Sequence, residues 1–303
     1  MLLITNYTVT TTARQLNVEL PLEIELADDV RGLLAQENDH MHLRVQRRVD
    51  RDAMELAVEP EWYHELSDGR REPVIGLRLK NDEAVEPVLV HDFVSALSFL
   101  TEVPMALSRP IHDDCFMAEG DEDQHLLDQF GTNRPFIGSS SAVASLRTTA
   151  GPVTAERIAA LLPSRRIGLR IYADALKSTF APAQFRELWR VLESAFSRKD
   201  EELVGLLATY PPAVQLGFVH GELQELLVLR GRASHATSKP ETALEEVVHV
   251  EHQCTAALPR LRTLAERVIT TKRSWGYPTP GVDEVLPLRG YVGPKGELVF
   301  IRS

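Results

Sequence analysis

The sequence predicts an α+β protein in which a β-rich N-terminal domain precedes a helical domain. Three observations lead to this prediction. The 303 residues exceed the usual length of one domain, which is about 100–200 residues. Apolar residues alternate with polar ones early in the chain, which is typical of strands, and they recur at helical spacing in the second half. The last residues, "LRGYVGPKGELVFIRS", indicate a short hairpin around "GPKG".

Residues 1–140 form the predicted β-rich domain. Its clearest strand is "LNVELPLEIEL", where alternate apolar side chains share one face: Val18, Leu20, Leu22, Ile24 and Leu26. Further strands are predicted in "HMHLRVQRRV", "AMELAVE" and "VIGLRLK". Residues 88–100 break the alternation, so we expect one helix there, packed on the sheet. The domain is therefore expected to hold a sheet and one or two helices.

Residues 111–128 of this domain contain seven acidic residues and no Lys or Arg. A metal site is suggested by the ligand-type residues in this stretch, which are His112, Asp113, Asp114, Cys115 and His125. Their spacing matches no compact ligand pattern. We therefore predict a solvated acidic loop and no bound metal.

The net charge of −11 is unevenly distributed along the chain. Residues 1–150 carry 27 acidic and 13 basic side chains, a net of −14, whereas residues 151–303 carry 17 acidic and 20 basic side chains, a net of +3. The second half can therefore approach a polyanion although the whole chain is acidic. A net of +3 permits nucleic-acid binding without establishing it.

The composition predicts a cytoplasmic protein that does not enter a membrane. No run of about 18 apolar residues occurs, so no spanning helix is expected. The first residues lack the basic segment and the apolar core of a signal peptide. Cys115 and Cys254, the only cysteines, are far apart and lack CxxC spacing, which indicates free thiols in a reducing compartment.

The helical domain is predicted over residues 153–273. Residues 141–152 are small and polar and are predicted to be a linker, and residues 274–303 are predicted to be a tail that holds the hairpin. Thr154 is expected to cap the first helix. Residues 182–196 place five apolar side chains at helical spacing, as expected for a helix in a bundle.

The last two helices are predicted to meet at a short polar junction. The first of them is predicted over residues 214–230, where an apolar stripe ends in Arg230, and Gly231 is expected to stop it. A guanidinium on such a stripe needs an anionic or carbonyl partner, because an unpaired buried charge is costly. The last helix is predicted over residues 239–270, starting from a capping box at Ser238.

This junction holds an arginine and a histidine five residues apart, Arg230 and His235. RNA can be cut without metal when its own 2′-hydroxyl attacks the adjacent phosphorus. That reaction needs a proton acceptor near neutral pH and fixed positive donors on the phosphoryl oxygens, which imidazole and guanidinium supply. Basic residues that stabilise a helix end explain the same pair without any chemistry.

The stretch from Arg230 to His235, "RGRASH", resembles the R-x4-6-H motif of the HEPN superfamily, which consists of small helical bundles that include many ribonucleases. The likeness covers roughly residues 165–270. It implies a metal-independent endoribonuclease with Arg230 and His235 as catalytic residues, RNA as the substrate and no cofactor. It also implies a homodimer through the helical domain, with the two motifs facing each other. Arg232 and Ser234 are expected to support the site or to bind phosphate.

Proteins of this kind resemble toxins and anti-phage effectors, yet two alternatives stay open. Gly231 stands where active members of the family usually carry Asn, Asp or His, so the bundle is alternatively a non-catalytic module that binds a nucleotide or a protein. The other alternative is an accessory protein of a metabolic operon. The β-rich domain is expected to contact a protein or ligand partner. The motifs GxxxxGK[ST], GxSxG and HExxH, and GxGxxG after a strand, are absent from the sequence.

Overall fold

The computed structural model describes residues 1–11, 18, 20–37, 40–65, 69–80, 85–108, 114–130, 153–238, 244–272, 275, 289–292 and 298–301. The chain divides into a unit built on an antiparallel sheet and a helical unit, which confirms the predicted α+β fold. The sheet unit comprises Met1–Thr10, Val18–His91 and Ala106–Leu146, and the helical unit comprises Thr11–Asn17, Asp92–Met105 and Arg147–Ser303. The predicted linker, residues 141–152, lies outside the described residues.

Six of the described strands form one sheet, namely β1 (Leu2–Thr11), β2 (Leu22–Ala27), β3 (Val30–Glu37), β4 (His40–Arg48), β7 (Met105–Ser108) and β8 (Asp114–Met117). Their order in the sheet is β2-β3-β4-β1-β7, and β8 also pairs with β1. β4 confirms the strand predicted in "HMHLRVQRRV". Its Met41, Leu43 and Val45 are buried on one face, as alternation requires.

The predicted alternation around β2 is confirmed, although the strand itself begins only at Leu22. Leu22 and Ile24 are buried, while Glu23 and Glu25, which alternate with them, are exposed. The neighbouring strand β3 was not predicted. Gly32 has no side chain to continue the apolar alternation of β3. Side chains of neighbouring strands fill the space beside Gly32, so that a Cβ added there would lie 3.3 Å from Ile24 Cγ2.

Two further hairpins confirm sequence predictions. β5 (Met54–Glu65) pairs antiparallel with β6 (Arg71–Leu79), and both are longer than the apolar segments that predicted them. At the end of the chain, β9 (Arg289–Val292) pairs antiparallel with β10 (Leu298–Ile301) on either side of "GPKG".

The acidic stretch is not the solvated loop that the sequence predicts. It holds β8 and the helix α2 (Asp121–Phe130), and α2 packs Leu126 and Leu127 against a small apolar core of the sheet unit. Its acids are paired across the unit: Arg51 donates to Asp123 Oδ1 over 2.6 Å, and Arg48 donates to Glu119. Asp123 is buried. The prediction failed because the basic partners lie about 70 residues earlier in the chain.

We expect Asp123→Asn to destabilise the sheet unit at neutral pH and to do so less in acid. The backbone N–H of Glu119 and the Arg51 guanidinium lower the pKa of Asp123 to about 2, whereas an unfolded chain titrates near about 4. The ionised carboxylate therefore stabilises the fold above pH 4, and this contribution is lost as the pH falls towards 2. Urea midpoints at several pH values measure the effect, with the exposed Asp121→Asn as control. A difference between wild type and Asp123→Asn that stays constant down to pH 2 would contradict it.

The helical unit contains six described helices after residue 153. They are α3 (Ala155–Lys177), α4 (Ala181–Phe196), α5 (Asp200–Thr209), α6 (Pro211–Gln215), α7 (His220–Ser238) and α8 (Leu244–Thr271). Thr154 caps α3 as predicted, since its Oγ1 accepts a hydrogen bond from the Arg157 N–H at 3.4 Å. The central helix is α4, which packs against α3, α7 and α8. Its five predicted apolar residues are all buried, namely Phe185, Leu188, Trp189, Leu192 and Phe196.

The helix predicted at residues 88–100 exists as α1 (Val85–Thr101), but its second half does not belong to the sheet unit. Residues 92–105 group with the helical unit. Asp92 accepts a hydrogen bond from Arg170 of α3, and Phe99 meets Tyr172 edge-to-face with ring centroids 5.1 Å apart. The sequence pattern shows an apolar face but not which element covers it.

The helix predicted over residues 214–230 is broken near its start. α6 ends at Gln215, and α7 begins at His220. Between them Gly217 has φ +76°, a left-handed conformation that ends a helix and that glycine adopts without strain. The apolar stripe therefore belongs to two elements, and only its members from Leu223 onwards lie on α7.

Candidate functional site

The predicted site residues lie on one helix and not at a junction between two. α7 continues through Gly231 and ends at Ser238, so Gly231 does not stop it and Ser238 is its last residue, not the cap of the next helix. α8 begins at Leu244, and residues 239–243 lie outside the described part of the chain. A helical glycine costs only about 1 kcal/mol, and Ala233, two residues after it, is fully buried.

Arg230 has the anionic partner that its position on an apolar stripe requires. Its Nη2 donates to Oε1 of Glu193 on α4 over 2.9 Å. The Glu193 side chain is 10% exposed and that of Arg230 is 29% exposed, so this ion pair lies at the rim of the bundle. The Nε of Arg230 is buried and has no hydrogen-bond partner. Glu193 thus holds the guanidinium at Nη2, and only the exposed part of the Arg230 side chain can reach an anion.

The two residues expected to support the site differ in their surroundings. Ser234 donates its hydroxyl to the carbonyl of Arg230 over 3.0 Å, one helical turn back. Arg232 is exposed and lines a groove of about 420 Å³ between α7 and α8. The other residues of the groove are Gln224, Glu225, Leu226, Val228, Leu229, Gln253 and Ala257. Arg232 therefore does not replace the polar side chain that Gly231 lacks beside Arg230.

The structure describes the backbone of His235 as part of α7, while its side chain lies outside the described residues. Five residues in an α-helix correspond to about 7.5 Å along the axis and about 140° around it. The side chains of Arg230 and His235 thus leave the backbone of α7 at well-separated positions. One copy of the helix does not by itself place the two groups on the same side.

Outside α7, a second polar cluster links α3 and α8. The Tyr172 hydroxyl donates to Glu266 and accepts from Arg262 Nε over 2.9 Å, and Arg262 also pairs with Glu102 at 3.1 Å. Burial raises the pKa of both Tyr172 and Glu266. Tyr172 therefore stays a neutral donor, which suits a structural tie between helices.

Thiol and metal chemistry find no support in the described residues. Cys254 is a free thiol, as expected, but burial raises its pKa to about 12, so that almost no thiolate exists at neutral pH. The side chain of Cys115 lies outside the described residues. Across the described ranges, no three His, Cys, Asp or Glu side chains are grouped so that they could hold a metal ion. No described helix is long and apolar enough to cross a membrane.

The fold and this site define an α+β protein whose helical unit carries a carboxylate-anchored arginine at its rim. No protein family model, curated protein or solved structure matches the chain. Glu193 is the residue of this site that the sequence did not predict. In the sequence Glu193 stands one position after Leu192, beside the apolar stripe of α4, and nothing local marks it as the partner of Arg230.

Proposed function

We propose that the helical unit is a metal-independent endoribonuclease of the HEPN type. The observation that carries the proposal is the Glu193–Arg230 pair, which holds a partly exposed guanidinium in place at the rim of the bundle. A fixed guanidinium stabilises the charge that develops on phosphoryl oxygens without reorganising during the reaction. Its position five residues before His235 on one helix matches the R-x4-6-H spacing.

In the proposed reaction the 2′-oxygen of the RNA forms a bond to the adjacent phosphorus, and the bond from phosphorus to the 5′-oxygen breaks. The 2′-hydroxyl loses a proton and the leaving 5′-oxygen gains one; His235 performs one of these two transfers, and water performs the other. Arg230 binds the non-bridging oxygens, and Glu193 positions Arg230. The products are a 2′,3′-cyclic phosphate and a 5′-hydroxyl. In a cell such cleavage of cytoplasmic RNA stops growth, as a toxin or anti-phage effector does.

The direct test is incubation of labelled single-stranded RNA with the purified full-length protein, with and without EDTA. We expect equal cleavage in both and none by His235→Ala. Arg190→Ala is the control, since Arg190 is a second arginine of the helical unit that pairs with a carboxylate, Glu187, at 2.6 Å. Cleavage that EDTA abolishes would contradict the proposal.

A homodimer through α7 and α8 is part of this proposal, and we expect the full-length protein to sediment as a dimer. Arg230 and His235 start well apart on one copy of α7, so a second copy is needed to bring the two groups together. Exposed valines that a second copy of the helical unit would bury occur on or beside α6, α7 and α8: Val214, Val219, Val228 and Val248. Val228→Glu should dissociate the dimer, whereas Ile167→Glu on α3, also exposed, should not. If analytical ultracentrifugation finds a monomer at micromolar concentrations, the proposed homodimer is wrong.

The second candidate function is a non-catalytic binding module, and the groove between α7 and α8 favours it. Arg232 and the amide groups of Gln224 and Gln253 line this groove, and the Oε1 atoms of both amides are buried without a partner. A nucleotide or a peptide could use such groups. If expression of the wild type slows growth of the host and His235→Ala does so equally, the binding module is the better account.

A further inference from the structure

Gly168 leaves a gap between the side chains of α3, and the indole ring of Trp275 fills that gap. Gly168 is buried, although its neighbour Ile167 is 60% exposed. A Cβ added to Gly168 would lie 2.0 Å from Cη2 and 2.5 Å from Cζ3 of Trp275. Atoms that are not bonded to each other do not approach so closely. The ring therefore rests on backbone that only glycine leaves uncovered.

The backbone of α3 does not itself require a glycine at this position. α3 continues through Gly168 from Ala155 to Lys177. Among the described glycines only Gly69 and Gly217 have a positive φ, so the backbone of Gly168 is one that alanine also adopts. Alanine is the better helix former of the two residues. The space that Trp275 occupies is thus the reason why a glycine suits this turn of α3.

Trp275 lies four residues after the end of α8 and is half-buried. Its Nε1 is buried and has no hydrogen-bond partner in the described part of the chain. A buried N–H without a partner loses the hydrogen bond that water would give it. Packing alone therefore holds the ring on α3, and release of the ring would restore the hydration of its N–H.

Two opposing effects act on this one side chain. Burial of the ring favours contact with Gly168, because an indole removes a large apolar area from water. The unpaired N–H favours release, because the N–H is hydrated only when the ring leaves α3. The contact is consequently weaker than one in which the buried polar group is paired, and local opening of such a contact needs less free energy than global unfolding.

The end of α8 is attached more firmly than Trp275. Thr271 is fully buried, and its Oγ1 lies 3.0 Å from the Tyr210 hydroxyl. Lys272 is 3% exposed, and its Nζ lies 4.7 Å from the centre of the Phe196 ring on α4. Polar and cation–π contacts therefore fix the last residues of α8 to the bundle, whereas the ring of Trp275 has packing alone.

We propose that Gly168 and Trp275 form a clip, the Trp275 clip, which closes the chain beyond α8 onto α3 and opens without unfolding of the bundle. When the clip is closed, the indole covers Gly168. When it is open, the ring is in water, and α3 and α8 keep their contacts with α4, because the helices make these contacts without Trp275. The clip is independent of the proposed RNA cleavage, since neither of its residues lies on α7.

The first test is a cycle of three variants of the full-length protein, compared by melting temperature: Gly168→Ala, Trp275→Ala and the double variant. With Trp275 present, Gly168→Ala should not raise the melting temperature, because the added Cβ displaces the ring. In the Trp275→Ala background the same change should raise it, because alanine favours the helix. Gly205→Ala is the control and should raise it in both backgrounds, since no atom lies within 4 Å of the Cβ position. An equal rise from Gly168→Ala in both backgrounds would overturn the proposal.

Digestion of the native protein with chymotrypsin measures the opening itself. This protease binds an aromatic side chain in its own pocket, so that it cuts after Trp275 only when the ring has left Gly168. Gly168→Ala should speed the cut after Trp275 about tenfold or more, because the rate follows the population of the open form. Gly205→Ala should be cut there like wild type.

Trp189 reports global unfolding in the same digestion, because it is fully buried on α4. Mass spectrometry of the fragments distinguishes a cut after Trp275 from a cut after Trp189. We expect the first cut to precede the second in wild type and in Gly168→Ala. Equal rates for the two cuts in wild type would mean that the ring leaves α3 only when the bundle unfolds, and no faster cut after Trp275 in Gly168→Ala would mean that Gly168 does not hold it. Either result contradicts the clip.

Discussion

Replacing His235 by alanine is expected to lower the rate of RNA cleavage by about 10²–10⁴-fold, the range for a lost proton-transfer group. Replacing Arg230 by alanine is expected to cost about 10²–10³-fold, as for other single contacts to a developing oxyanion. Both rates are measured with labelled RNA under single-turnover conditions. Arg190→Ala should cleave like wild type. Equal cleavage by every variant would point to a contaminating nuclease.

The Glu193–Arg230 pair allows a sharper version of this experiment. Arg230→Ala leaves a carboxylate that is only 10% exposed without its cation, which destabilises the fold independently of catalysis. The double variant Arg230→Ala with Glu193→Gln removes that effect and should still be inactive. Glu193→Gln alone keeps the guanidinium but orients it less firmly. We expect it to lower kcat by less than Arg230→Ala does, with little change in KM. A Glu193→Gln enzyme as inactive as His235→Ala would mean that Glu193 acts on the substrate itself.

Trp189→Ala is expected to cost the helical unit about 3–5 kcal/mol of unfolding free energy, the usual range for a large-to-small change at a fully buried aromatic residue. Trp189 is 0% exposed on α4, which packs against α3, α7 and α8. Its Nε1 has no hydrogen-bond partner, so Trp189→Phe loses only part of the packing and should cost less than Trp189→Ala.

Urea unfolding followed by far-UV circular dichroism measures these changes. The adjacent Arg190→Ala lies on the exposed side of α4 and should change the free energy by no more than about 0.5 kcal/mol. A Trp189→Ala protein as stable as Arg190→Ala would mean that α4 is not the centre of the helical core.

Sequence periodicity predicts the elements whose apolar residues alternate or recur regularly. β4 and α4 were found in this way, because Met41, Leu43 and Val45 in one and Phe185, Leu188 and Trp189 in the other follow a single period. β3 was not predicted, because Gly32 interrupts the alternation of apolar and polar residues along this strand.

The prediction that α7 ends at Gly231 was wrong, because a glycine next to basic residues is typical of a helix end. Ala233 beyond that glycine is fully buried, and burial against other helices is a tertiary effect that local sequence does not show.

The candidate site was predictable only in part. Arg230 and His235 share a helix and a motif spacing, which a sequence shows directly. The partner of Arg230 lies 37 residues away on another helix, and local sequence contains no signal for that pairing. Arg165 and Arg166 are adjacent and look alike in sequence, yet one is buried and the other is exposed. Arg165 falls on the helical spacing of the buried Ile158, Leu161 and Tyr172, whereas Arg166 lies one position off it.

The most direct measurement of the central claim is the chemistry of the RNA ends. An RNA oligonucleotide is cut by the purified protein in EDTA, and the same oligonucleotide carries a single 2′-deoxy substitution at the cut position as its control. We predict 2′,3′-cyclic phosphate and 5′-hydroxyl ends from the first and no cleavage of the second, because the nucleophile is the RNA's own 2′-hydroxyl. Cleavage of the 2′-deoxy substrate, or products with 3′-hydroxyl ends, would contradict the account.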